Sequence, residues 1–486
     1  MLSPPNPQAP VLSTQHSALS TQHSPNVVNS ALMIQKFIRR IFNKKKPAGS
    51  QAVILPQRKH GINREHMSPC ALNVCKELRA DGFAAFVVGG AVRDLLLGKE
   101  PKDYDVATDA TPEQVRDVFR RSRIIGRRFR IVHVMCGRET VEVTTFRGQA
   151  APITGEDEEE GGEDQRKNEN GRLLRDNVFG TQFEDAVRRD FTINALYYDP
   201  TQQEVWDYLD GMQDLKNGVL RIIGDAETRY REDPVRMLRA VRLAAKLDFK
   251  LDPATKKPIR ALAPLLQDVP KARLFDEMLK LFHSGHALAS AHRIRDEGLH
   301  HGVLPLLDVI LEQPMGKRFI TLALQSTDDR VNADKPVSPA FLFASLMWHE
   351  VLSTWKKYQE EQEMRPLPAL EEAMDDVIQT QVENLAIPRR YTAGMREIWS
   401  MQPRFLQRAG QRPFRMVESP KFRAGFDFLL LRCASGELDA EVGHWWERFQ
   451  HANEHERAQM LIKDEAPARK RRRRRKPAGE RPAAEE

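Results

Sequence analysis

The sequence predicts an α+β fold: a small mixed-sheet head, then an all-helical neck and body, with disordered polar tails at both ends. Three observations carry this. Short runs that are apolar or alternate with period two fall at 86–88, 104–107, 130–135 and 140–146, all within the first 200 residues. Strand signals fade after about residue 228, and helical spacing dominates to about 460. Both ends of the chain hold too few large apolar side chains to offset the entropy of ordering them.

Taken in order, residues 1–55 read as a disordered leader in which LSTQHS occurs twice, at 12–17 and 19–24. Within it, residues 32–46 (LMIQKFIRRIFNKKK) space apolar and basic residues as a basic amphipathic helix does. Such a helix makes peripheral contact with a membrane surface, and a solvated extension has the same composition. Met33 offers a second start position. The head is expected over 56–200. A helix spans 68–81 and ends at Asp81-Gly82, and the strand Phe86-Val87-Val88 runs into Gly89-Gly90 and a helix over 91–97. Thr111-Pro112 opens another helix, with a capping Thr and Pro at the first helical position. Residues 151–171 are charged and Gly-rich, with EDEEE inside, and read as a surface loop. A neck over 201–265 and a body over 266–463 follow, then an arginine-rich tail over 464–486.

Composition narrows the class. The 486 residues allow two to four domains. Hydrophobic residues make up 41% and charged residues 29%, as in a globular protein with a sizeable core. No stretch reaches the roughly 18 apolar residues of a spanning helix, and no export signal precedes the head. Cys70, Cys75, Cys136 and Cys433 form no CxxC, so the expectation is reduced thiols, neither disulfide nor zinc site, and a cytoplasmic location. The net charge of +7 fits an anionic partner.

Four clusters carry chemistry. In Lys102-Asp103-Tyr104-Asp105-Val106, alternate residues of a strand share a face, so Asp103 and Asp105 point the same way. Like charges about 5 Å apart repel by roughly 3 kcal/mol at an effective dielectric of ~20. A divalent cation removes that penalty, and hard oxygen ligands suit magnesium. Glu142, in Val141-Glu142-Val143, is a third carboxylate if its strand lies alongside, and paired metals activate a hydroxyl and stabilise a leaving pyrophosphate. Gly89 and Gly90 let backbone amides approach a phosphate. Arg93 adds a charge-assisted bond to a triphosphate, with Asp94 orienting Arg93 or an amide. The pattern is neither GxGxxG nor a Walker loop. In Arg188-Arg189-Asp190-Phe191-Thr192-Ile193-Asn194, Arg189 and Asn194 suit phosphate and ribose, and Asp190 is either a further acid near the metals or a partner for Arg189. From Glu232 to Arg242, Arg236, Arg239 and Arg242 crowd one helical face, a costly arrangement without an anion. Asp233 and Arg236 have the donor and acceptor types to read a base.

In this order the clusters resemble the nucleotidyltransferase family that holds tRNA CCA-adding enzymes and bacterial poly(A) polymerases. The matching stretches are VVGGAVRDLLLG, KDYDVAT, VEVTTFRG, RRDFTINAL, DYLDGMQDLKNGVLRIIGD and EDPVRMLRAVRLAAKL, and the likeness covers roughly residues 60–460. His60-Gly61-Ile62, IIGRRFRIVHV, Tyr197-Tyr198, VSPAFLFASLMW, LAIPRR and the arginine-rich tail look like the poly(A) polymerase side. Departures are peripheral: the leader and the acidic insert at 155–164.

The resemblance implies Asp103 and Asp105 as metal ligands and Asp190 as an active-site acid. It implies Gly90, Arg93, Arg189, Asp233, Arg236, Arg239 and Arg242 as nucleotide contacts. The implied reaction is template-independent addition of AMP from ATP to RNA 3′ ends with two Mg2+ ions, promoting RNA turnover. RNA-decay machinery is the implied further partner. Addition of CCA to tRNA is the alternative. Arg127, Arg128 and Arg130 and the tail residues Arg471, Arg472, Arg473, Arg474 and Arg475 are expected to track the RNA backbone without reading sequence.

Overall fold

The structure is a computed structural model and describes residues 51–126, 130–148, 165–167, 173–176, 178–300 and 314–462. The leader helix at 32–46, Arg127, Arg128, the acidic insert at 155–164 and the five tail arginines lie outside the described residues.

The head is one eight-stranded mixed sheet. Its strands are β1 (Val53–Pro56), β2 (Ala85–Val88), β3 (Asp105–Thr108), β4 (Ser122–Ile125), β5 (Ile131–Cys136), β6 (Glu139–Thr145), β9 (Leu196–Asp199) and β10 (Glu204–Asp207). They lie in the order β1-β10-β9-β2-β3-β6-β5-β4, with only β3 and β6 parallel among neighbours. Period-two alternation sorts the side chains. Val87, Val106, Val132, Val134, Val141 and Val143 face one core, which helix α1 (Pro69–Ala80) covers. Phe86, Val88, Ala107, Phe146 and Tyr197 face the other. Thr111 caps α3 (Pro112–Val118) as expected and forms a capping box with Gln114, and Ser68, expected inside the first helix, instead caps α1. Between them, α2 (Gly90–Leu96) begins at the paired glycines.

Three expectations change. Asp103 lies outside the strand, in the bend before Asp105. Strand β2 ends at Val88, opposite Asp105, and turns away at Gly89, so on that side the ladder offers Asp103 no partner. Residues 165–167 (β7) pair antiparallel with 173–176 (β8), so the charged stretch is not wholly loop. Backbone pairing needs no apolar side chain, so composition hides it. Cys70 and Cys136 form a disulfide across 66 positions, against the expectation of reduced thiols. Packing α1 on the sheet brings their Cα atoms to 5.8 Å, a proximity that linear spacing hides. Cys75 stays free and buried, and burial pushes its thiol pKa up to about 12.

The rest is nearly all helical. Helix α4 (Gln182–Arg188) lies between the hairpin and β9, and α5 (Gly211–Asn217), α6 (Ala226–Glu232) and α7 (Val235–Leu247) follow the sheet. Then come α8 (Lys271–Phe282), α9 (Ala287–Asp296), α10 (Pro314–Asn332), α11 (Pro339–Glu361), α12 (Pro366–Leu385), α13 (Arg389–Phe405), α14 (Phe422–Ser435) and α15 (Ala440–His451). A two-residue parallel pair, β11 (Val219–Leu220) with β12 (Lys250–Leu251), is the exception. One apolar core runs from Phe191 and Ile193 through α7, α8 and α11 to Phe428. Phe191 and Ile193 are thus anchored among the helices, while Asp190, Thr192 and Asn194, which alternate with them, make polar contacts.

Helix α5 seats against that segment. Asp207 accepts from the Leu209, Gly211 and Met212 amides, and Thr192 donates its hydroxyl to Asp214 at 2.8 Å. A Cβ built on Gly211 would stand 2.3 Å from the Thr192 carbonyl oxygen. Gly211→Ala is therefore expected to destabilise the protein by about 3 kcal/mol, read as a lowered denaturant midpoint. A midpoint equal to wild type would contradict this packing.

Candidate active site

Register builds a row of side chains across the sheet. Asp105 sits opposite Val88 on one side and Glu142 on the other, Val88 opposite Tyr197, and Glu142 opposite His133. Glu142 meets the His133 ring at 3.3 Å and is half exposed. Asp105 is poorly solvated. Burial raises its pKa, Glu142 and Asp103 add like-charge repulsion, Arg189 opposes them, and the result is about 6 against a reference of 3.8. That shift disfavours the carboxylate by about 3 kcal/mol.

Gly89 separates this acid from a guanidinium. Its φ of 73° lies in the region that favours glycine. A Cβ there would be 3.6 Å from both Asp105 Oδ2 and Arg189 Nη1, so a larger side chain would fill the gap between them. Asp185 holds Arg189 at 3.0 Å, and the Tyr197 hydroxyl accepts from Arg189 Nε at 3.1 Å. The spacing of Asp185 and Arg189 is four residues, the separation of neighbours on a helix face. Arg93 folds back over the glycine turn, with its Nη2 3.4 Å from the position of a Cβ on Gly90. It donates to Asp94 at 2.8 and 2.6 Å and, through Nη1, to Asn194 at 2.7 Å.

Asn194 passes the chain of contacts to Asp190 at 3.2 Å, and Asp190 takes Arg239 of α7 at 2.5 Å. Burial works against an ionised Asp190. The charge and bond of Arg239, with bonds from Asn194 and the Phe191 amide, outweigh it and carry the pKa down to about 2. Asp190 does not pair with Arg189; its cation is Arg239, 49 positions away. The arginines of α7 do not share one anion. Arg236 meets Glu232 at 3.0 Å, Arg239 meets Asp190, and Arg242 meets the buried Glu277 of α8 at 2.9 Å. Asp233 lies just before α7, and both its oxygens accept from Arg273 of α8, at 2.8 and 2.6 Å.

Arg189, Asp190, Asp233, Arg236, Arg239 and Arg273 line a cavity of about 270 Å3. Its four guanidiniums exceed its two carboxylates by two charges, as an anionic ligand requires. Gly89, Gly90, Arg93 and Asn194 adjoin it through Arg189 and Asp190, whereas Arg242 points away to Glu277. Arg130 is bound to Glu113 on the head surface. Sequence reasoning missed Asp185, Tyr197 and Arg273. The four-residue spacing to Arg189 marks the first; nothing local marks Arg273, which arrives from 40 positions beyond Asp233.

The chain matches the Poly A polymerase head domain over residues 85–221. It matches the probable RNA and SrmB-binding site of polymerase A over 248–311 and the polymerase A arginine-rich C-terminus over 362–479. The poly(A) polymerase I of Salmonella typhi is 44% identical over 464 residues, covering 92% of this chain and 98% of that protein. The same enzyme of Escherichia coli O6:H1 is 45% identical over 460 residues, 91% and 97% of the two chains. A CCA-adding enzyme of Lactobacillus helveticus is 38% identical over 211 residues, 43% of this chain and 49% of that one. Among solved structures, the Bacillus stearothermophilus CCA-adding enzyme in complex with CTP superposes with a TM-score of 0.50 at 25% identity, over 79% and 82% of the chains. The Thermotoga maritima CCA-adding enzyme complexed with tRNA shares the fold, with a TM-score of 0.53 at 18% identity over 81% and 86%. The chain belongs to the poly(A) polymerase I family of polynucleotide adenylyltransferases, with the CCA-adding enzymes as more distant relatives.

Proposed function

We propose that this site joins AMP from ATP to the 3′-hydroxyl of RNA without a template and releases pyrophosphate. The observation that carries the reading is the poorly solvated Asp105, set across Gly89 from Arg189 at the edge of an arginine-lined cavity.

The acids fit a divalent cation, because Asp105 carries a like-charge penalty from Glu142 and Asp103 that a cation would remove. Among the described residues no three acids or histidines form a ready ligand cage. Magnesium is commonly held by one or two carboxylates and completed by substrate phosphates. Asp103 and Asp105 would hold it, with Glu142 beside them. There it would supply charge neutralisation and a lowered pKa for a bound hydroxyl.

The protein's own groups position the reactants. Arg189 and Arg93, each braced by a carboxylate, aim at the triphosphate beside the Gly89-Gly90 turn. Asp190 acts by holding Arg239 rather than as a further metal ligand. On the base side Arg236 is the reader, because Arg273 occupies both oxygens of Asp233. Charge placement of this kind supplies most of the rate in phosphoryl transfer. Arg130 and the tail arginines serve as a sequence-independent track for the RNA backbone, and the A tract made is a single-stranded end for RNA-decay machinery. Among the described residues no helix is long and apolar enough to cross a membrane. A cytoplasmic enzyme is the setting we infer.

Purified protein given an RNA primer and each nucleotide singly is expected to make long ladders with ATP. One to three additions that require CTP would instead identify CCA addition. Asp103→Ala and Asp105→Ala should each lose about 1,000-fold in ladder formation, equivalent to roughly 4 kcal/mol, with unchanged circular dichroism. Wild-type tailing by either variant would sink the acid site.

Acidity gives an independent check. Because the Asp105 pKa is raised to about 6, Mg2+ must displace a proton below that pH. Calorimetric Mg2+ affinity should hold steady above about pH 7 and fall by up to about tenfold per unit as pH drops below about 6. The metal-free protein should behave oppositely: this group costs stability above about pH 6, and the cost fades as pH falls from about 6 towards 3.8. A Mg2+ affinity independent of pH between 5 and 7 contradicts the assignment.

A further inference from the structure

We propose that Lys246, at the end of α7, is a positioning residue for the nucleotide's triphosphate: it steadies Asp94, and through Asp94 the Arg93 guanidinium. The inference rests on the functional reading above and adds to it a residue outside the cavity.

Consecutive residues on a helix do not face each other. Yet Asp94 curls round to take both Nε and Nη2 of Arg93, its neighbour on α2, through a single oxygen, Oδ1. The other oxygen, Oδ2, is 3.7 Å from Lys246 Nζ. An ion pair at that distance fixes the carboxylate's direction without competing for Oδ1. The result is a guanidinium pinned on two sides, by Asp94 and by Asn194, with Nη2 over Gly90. Arg93 keeps only 5% of its side-chain exposure and Asp94 13%, so neither has much water to hold it instead.

The contact is also built into the packing. Leu96 and Leu97, just beyond Asp94, pack against the helical core that contains Val241 and Ala244 of α7. That fixes the end of α2 beside the end of α7. Lys246 follows Arg242 by four residues, about one helical turn, so it shares the face of Arg236, Arg239 and Arg242. Burial lowers its pKa, Asp94 opposes this, and Arg93, Arg242 and Lys99 add to it. A lysine placed among three cations needs its carboxylate, and the same carboxylate needs the lysine for its second oxygen. One helix thereby joins the base side, through Arg236, to the triphosphate side, through Arg93.

The test compares wild type, Lys246→Met and Lys246→Arg by steady-state extension of a fixed RNA primer, and by binding of inorganic tripolyphosphate and of adenosine. For Lys246→Met the expected result is a KM for ATP raised about tenfold, with kcat within about twofold. Tripolyphosphate binding should weaken by a similar factor and adenosine binding should not change. Lys246→Arg should recover most of the loss. Asp94→Asn, which keeps the size but removes the charge that Lys246 meets, should reproduce the KM defect, and it serves as well should Lys246→Met fail to fold. Unchanged tripolyphosphate binding, a fall in kcat alone, or an arginine variant as impaired as the methionine one would overturn the proposal. If wild type neither extends RNA with ATP nor binds tripolyphosphate, the functional reading itself fails. If wild type does both and Lys246→Met matches it, only the role of Lys246 fails.

Discussion

The ion pair between Asp190 and Arg239 is the contact on which the rest of the site depends. It joins the segment that leads into β9 to the first long helix that follows, at 2.5 Å, with Asp190 12% and Arg239 34% exposed. A buried pair of this kind contributes little net stability against an apolar replacement, but losing one partner leaves an uncompensated charge. Its value here is geometric. With Phe191 and Ile193 locked in the helical core, Asp190 has one place to be, and Arg239 with it. The same carboxylate reaches Arg93 through Asn194, so the two walls of the cleft are set by one connected polar chain.

That chain solves an electrostatic problem. A site for a polyanion and its counter-cations must hold positive and negative groups close together while empty. Here nearly every guanidinium near the cavity has a carboxylate behind it: Asp185 for Arg189, Asp94 for Arg93, Glu232 for Arg236, Asp233 for Arg273. Asp105 is the contrast. Its neighbours are acids, its nearest help is Arg189 across Gly89, and its pKa rises while that of Asp190 falls. The two aspartates therefore suit different tasks, one stably charged and structural, the other open to a cation.

Much of this was legible in the chain. Period-two runs located the strands because one face of each is buried, and the capping residue Thr111 marked a helix start. The acid pair was legible as two residues close in the chain, but the alternation that would set both on one face does not apply to Asp103, which stands in a bend before the strand. The partners were not legible. Arg239 with Asp190, Arg273 with Asp233 and Cys70 with Cys136 are separated by 49, 40 and 66 positions. No local pattern encodes such pairings, since each residue alone looks like an ordinary charge or thiol.

The sequence by itself determined which residue types stand on which face of each strand and helix, because side-chain direction follows from backbone period. It also determined the chemistry on offer: paired acids, a glycine turn and a basic helical face. Only the tertiary structure decided how those charges are matched. Tertiary packing pairs Arg239 with Asp190, Arg273 with Asp233 and Arg242 with Glu277, and leaves Asp105 poorly compensated. Coulombic partnership depends on distance in space and on burial, and both arise when elements far apart in sequence share one core.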